Sequence, residues 1–67
     1  MKSKEIGGFV RKRRTSLRID QRTLSEISGI AVHTLGNIEA GKGNPTVATL
    51  DRVLHALGME LHIQIRE

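Results

Sequence analysis

The chain has 67 residues, a formal charge of +4 with a pI of about 10.4, and no cysteine. That length allows one domain with a small core, one that buries only about 60% of its unfolded surface and scarcely provides an enzyme cleft. Without cysteine there are no disulfide frameworks or thiolate metal sites, and no apolar run reaches the length of a signal segment or membrane span, so a cytoplasmic protein with no membrane partner is expected.

Basic residues crowd the first third of the chain. Residues 1–22 hold eight Lys/Arg against two acids, a net +6, whereas residues 23–67 hold three against five, a net −2. A positive field concentrated in one segment suits a polyanionic partner. Phe9 is the only aromatic residue, so base stacking on single strands is disfavoured and a duplex is the expected partner. The first helix is expected from Ser3 to Leu17, with Ile6, Val10, Arg13 or Arg14 and Leu17 along one side. Gly7-Gly8 weakens its first turns by roughly 1 kcal/mol per glycine.

Asp20 to Ser28 and Ala31 to Ala40 read as two short helices joined by a tight turn. Leu24 and Ile27 are three apart, as are Leu35 and Ile38, giving each helix one apolar stripe, and these four are assigned to the core. Asp20 stands at an N-cap, where its carboxylate can accept from free N–H groups. Gly29 stands where the first of the two must stop, because glycine takes the left-handed conformation without a Cβ penalty. Two short helices around a glycine turn form the helix-turn-helix pattern, whose second helix enters the DNA major groove.

Gly41-Lys42-Gly43-Asn44-Pro45 is a turn cluster that ends the third helix. Thr46 then caps a fourth, Val47 to Leu57, with Val47, Leu50, Val53, Leu54 and Leu57 on one stripe, and Gly58 ends it. The helical body thus spans residues 3–58. In residues 59–67 the period changes: Glu60, His62, Gln64 and Arg66 alternate with Leu61, Ile63 and Ile65, the pattern of a half-buried strand. No other stretch reads as a strand, so this one is expected to pair with its own copy in a homodimer.

Other chemistry is poorly supported. Gly36 to Gly43, GNIEAGKG, nearly spells a phosphate-binding P-loop, but Gly43 supplies no hydroxyl for magnesium and no strand precedes it. His33, His55 and His62 come from different elements without metal-ligand spacing. Nothing suggests a nucleophile elbow. No catalysis, cofactor or metal is expected.

Ile19-Asp20-Gln21, Leu24, Gly29-Ile30, Leu35, Ile38-Glu39, Gly41-Lys42 and Asn44-Pro45-Thr46 together resemble the Cro and lambda-repressor type helix-turn-helix domain, over about Ile6 to Gly58. The short body followed at once by a strand looks most like the HipB-type antitoxins. The resemblance implies a mainly α fold: a four-helix, lambda-repressor-like domain occupying residues 1–67, with a C-terminal β-strand pairing across a dimer through Leu61, Ile63 and Ile65. It further implies that Val32, His33 and Asn37 face base edges, with phosphate contacts from Gln21, Thr34, Lys42, Gly43, Asn44 and Thr46. Arg14 and Glu39 align with a buried ion pair, and Arg11, Lys12 and Arg18 add longer-range attraction if they face the duplex. Physically, Asn can bond bidentately to adenine, His can donate to guanine or phosphate, and Val can pack on a thymine methyl. Thr46 at a helix start adds oriented N–H donors for phosphate.

The implied protein is the antitoxin and autorepressor of a HipBA-like operon, binding a palindromic operator and a HipA-like toxin kinase. Alternatives are a phage Cro-like repressor, or an interaction module that binds a toxin kinase. This sequence departs from the pattern at three places. Ala31 lacks the capping hydroxyl usual before the reading helix, Gly36 lies inside that helix, and Val32 and His33 replace longer polar readers, which shifts weight toward shape readout.

Overall fold

A computed structural model describes residues 2–66, and its regular elements are four helices. They are α1 (Ser3–Ser16), α2 (Gln21–Ser28), α3 (Val32–Ala40) and α4 (Val47–Ala56). α1 packs mainly on α3, while α2 packs on both α3 and α4. Val10, Leu24, Ile30, Leu35, Ile38, Leu50, Val53, Leu54 and Leu57 form the core, with Ile6, Ile19, Ala56 and Met59 against its edge.

The helix ends follow local chemistry. Asp20 caps α2 by accepting from the Thr23 N–H at 2.8 Å, and Thr46 caps α4 by accepting from the Thr49 N–H at 3.1 Å. Gly29 ends α2 at φ 72° and Gly41 ends α3 at the same value, both in the left-handed region. At Ala31 no side chain caps α3.

Gly7 has a role that its helix weakness conceals. It is buried where α1 crosses the end of α3, and a Cβ there would overlap the carbonyl oxygens of Ile38 and Glu39. The helix nevertheless begins at Ser3, where the Glu5 carboxylate accepts from the Lys2 N–H at 3.3 Å. Gly8 faces open space. The glycine pair therefore divides into one position fixed by close packing and one that nothing constrains.

The apolar stripes differ from those expected. On α2 the inward residues are Leu24 and Ser28, four apart, and Ile27 is 58% exposed. Ser28 tolerates burial because its Oγ accepts from the Ile30 N–H at 3.2 Å, so the hydroxyl serves the turn. Leu17 and Val47 also lie largely outside the core.

The expected C-terminal strand is absent. After α4 the chain turns through Leu57-Gly58, and residues 59–66 adopt no regular structure. Leu61, Ile63 and Ile65 are all exposed, Ile63 and Ile65 more than nine-tenths so. Glu67, the last residue assigned to the strand, lies outside the described residues. Alternation gives a segment two faces, but a strand needs a second strand to satisfy its N–H and C=O groups. Among the described residues no other extended segment offers one, so the fold is all-α and the cross-dimer ribbon falls with the strand.

Candidate nucleic-acid interface

The start of α3 presents an outward face. Val32 and His33 are exposed, and Thr34 and Asn37 are partly so, whereas Leu35 and Ile38 on the opposite side anchor the helix in the core. The Cα–Cβ geometry of a helix puts residues 33 and 37 one above the other. Asn37 Nδ2 indeed lies 3.4 Å from His33 Nε2.

A shallow depression continues from this face into the following loop. Thr34, Asn37, Lys42, Gly43 and Asn44 line it together with Ile38 and Pro45. The Lys42 N–H donates to the Asn37 carbonyl at 2.8 Å, holding the loop against the last turn of α3. Thr46 sits beyond this depression. Its hydroxyl accepts from the Thr49 N–H and donates to Thr49 Oγ1 at 3.0 Å, so the side chain is occupied in capping α4.

Behind the face lies a polar network. Arg14 Nε donates to Glu39 Oε2 at 2.7 Å and Arg14 Nη2 donates to Glu39 Oε1 at 3.0 Å, a two-pronged pair between α1 and α3. Arg14 Nη1 also donates to the Ile19 carbonyl at 2.9 Å. The two side chains keep only 13% and 5% of their exposure. Gln21 Nε2 completes the set by donating to Glu39 Oε1 at 3.3 Å, which fixes the start of α2 against α3. Burial would raise the Glu39 carboxyl, but the hydrogen bonds from Arg14 and Gln21 and the nearby positive charge of Arg14 outweigh it and hold it below its ordinary value. The Glu39 hydrogen bond likewise raises the Arg14 guanidinium.

The basic side chains do not all surround this face. Gly7 and Arg14 lie on the side of α1 that meets α3, and Arg11 adds a through-space attraction to Glu39 from that side. Lys4 abuts Gly41. By contrast Lys12 shares a depression with Phe9, Arg13, Ser16 and Met59 on the opposite side of α1. Arg13 is drawn to α4, where its Nε donates to the Leu57 carbonyl at 2.9 Å. Arg18 holds a left-handed backbone at φ 59°, which the sequence gives no sign of. Arg22, exposed in the first turn of α2, is a further candidate that sequence reasoning missed; its place beside Gln21 is the signal that could have found it.

No helix among the described residues is long and apolar enough to cross a membrane. The helix-turn-helix family HTH_3 matches residues 10–63. The fold is similar to the crystal structure of the restriction-modification controller protein C.AhdI from Aeromonas hydrophila, with a TM-score of 0.81 and 28% identity over 87% of this chain and 88% of that one. No curated protein matches the chain.

Proposed function

The chain belongs to the helix-turn-helix family HTH_3, of the Cro and lambda-repressor type, and is a DNA-binding transcription regulator; from that premise we propose that it binds a specific duplex operator and controls the operon that encodes it. The observation that carries this reading is the continuity of the exposed α3 face with the Lys42-Gly43-Asn44 loop around one depression. Val32, His33 and Asn37 meet base edges. Lys42, Gly43 and Asn44 meet a phosphate at one flank, with Thr34 beside them. At the other flank the free N–H groups at the start of α2 and the second N–H of the Gln21 amide, whose first is given to Glu39, meet a second phosphate. Thr46 takes part through its backbone N–H alone.

Two copies on a palindromic site, with reading helices about 34 Å apart, is the geometry such domains use. The protein acts in the cytoplasm, on chromosomal or phage DNA. A HipB-type antitoxin remains one setting for the same chemistry, but its particular support was the tail strand. A controller-like role for a small operon has the better support, from a relative of nearly equal extent.

The test is binding to the DNA upstream of its own coding sequence, measured across a range of salt. Affinity should fall steeply with salt, and Lys42→Ala should reduce the log–log slope by about one unit, as expected when one phosphate is no longer neutralised. Asn37→Ala combined with His33→Ala should abolish preference for that DNA over random duplex while the fold survives. A salt-independent affinity, or a double variant with unchanged preference, would overturn the proposal.

A further inference from the structure

His33 and Asn37 occupy separate positions on the outward face of α3, but their side chains touch. Asn37 Nδ2 and His33 Nε2 are 3.4 Å apart. An amide nitrogen can only donate, so in this arrangement His33 Nε2 stands as the acceptor. This is the only hydrogen bond of the Asn37 side chain among the described residues. It leaves one N–H and the Oδ1 oxygen free, and these are the two groups needed to pair with adenine N7 and N6–H.

We infer that His33 is a positioning residue for Asn37: it takes one amide hydrogen and thereby sets the order in which the carboxamide offers its remaining donor and acceptor to an adenine. The two side chains act as one reading unit. Without the link the carboxamide can turn over about χ2, which exchanges the positions of oxygen and nitrogen, and its preference for adenine weakens. Among the described residues His33 Nδ1 has no partner, and it stays free for a contact of its own. The inference rests on the reading that α3 lies in the major groove, and it adds that the specificities of the two positions are coupled.

Selection from a randomised duplex library, run with the wild type and with His33→Ala, His33→Gln, Asn37→Ala and the His33→Ala/Asn37→Ala double variant, tests this. The wild type should select a half-site containing an adenine whose enrichment disappears in Asn37→Ala. His33→Ala should melt like the wild type yet weaken the preference for that same adenine by roughly three- to tenfold, the worth of one hydrogen bond. His33→Gln, which restores an acceptor, should recover most of the preference, and the double variant should lose no more there than Asn37→Ala alone. Relaxation by His33→Ala at a different base pair only, with the adenine untouched, would overturn the coupling while leaving α3 as the reader. A different base at the position governed by Asn37 would also overturn it. Failure of the wild type to enrich any sequence would instead remove the premise that α3 reads DNA, and the inference with it.

Discussion

Gly7 and Gly8 are neighbours in α1 with opposite constraints. At Gly7 a methyl group would meet the Ile38 and Glu39 carbonyls, which belong to backbone and cannot swing aside. Gly7→Ala should therefore destabilise the protein by about 1–3 kcal/mol, toward the upper end. Gly8→Ala meets nothing and should stabilise it by up to about 1 kcal/mol through helix propensity. At about 4–8 °C per kcal/mol, thermal melting resolves both shifts. Gly36→Ala should behave like Gly8→Ala, since its Cβ would lie 3.9 Å from the nearest Gln21 atom, at ordinary van der Waals distance. Equal effects at positions 7 and 8 would contradict the packing described.

The Arg14–Glu39 pair gives two further residue-scale expectations. Both side chains are nearly buried, so Glu39→Ala leaves a guanidinium with its charge uncompensated and should cost about 3–5 kcal/mol. A variant that melts like the wild type would show the pair to be energetically idle. The pH dependence follows from the lowered Glu39 carboxyl. A group whose pKa is lower in the folded state contributes stability above its unfolded value, near 4.5, and loses it as pH falls through the folded value. The melting temperature should thus drop in acid below about pH 4.5, and Glu39→Gln should show a shallower drop over that range.

At the scale of elements, the helices were legible because their signals are local. Asp20 and Thr46 carry capping oxygens, Gly29 and Gly41 supply left-handed ends, and the α4 spacing places Leu50, Val53, Leu54 and Leu57 inward. What sequence alone does not disclose depends on neighbours distant in the chain. Ile27 looks like core because it lies three residues from Leu24, but α3 and α4 meet α2 along the Leu24–Ser28 line. Gly7 looks like a weakness because the end of the helix that crosses it, at Ile38 and Glu39, is far away in sequence. The tail looks like a strand because alternation is local, whereas pairing is not.

The exposed tail makes its own prediction. Residues 63–66 are exposed and unstructured, so deleting residues 63–67 should leave the melting temperature unchanged. A drop of several degrees would show that the tail packs on something. The face of α3 was also partly readable, since outward positions follow once Leu35 and Ile38 are known to point inward. The approach of His33 to Asn37 and the reach of the loop to the same depression depend on side-chain placement that spacing does not fix.

For the whole molecule, the excess of positive charge in residues 1–22 is only partly relevant to the reading face. Arg11 acts on Glu39 behind it, Arg14 is consumed by Glu39, and Lys12 and Arg13 lie on the other side with Phe9 and Met59. The attraction to DNA is therefore expected to come from phosphate contacts at well-defined places rather than from a general basic surface. A titration of isotopically labelled protein with its upstream duplex, followed by backbone amide chemical shifts, puts this to a direct test. The largest changes should fall at residues 32–37, 42–44 and 46 and the first turn of α2, with Phe9, Ile27 and residues 61–66 unmoved. Changes centred on Phe9, Met59 and Leu61, with α3 undisturbed, would contradict it.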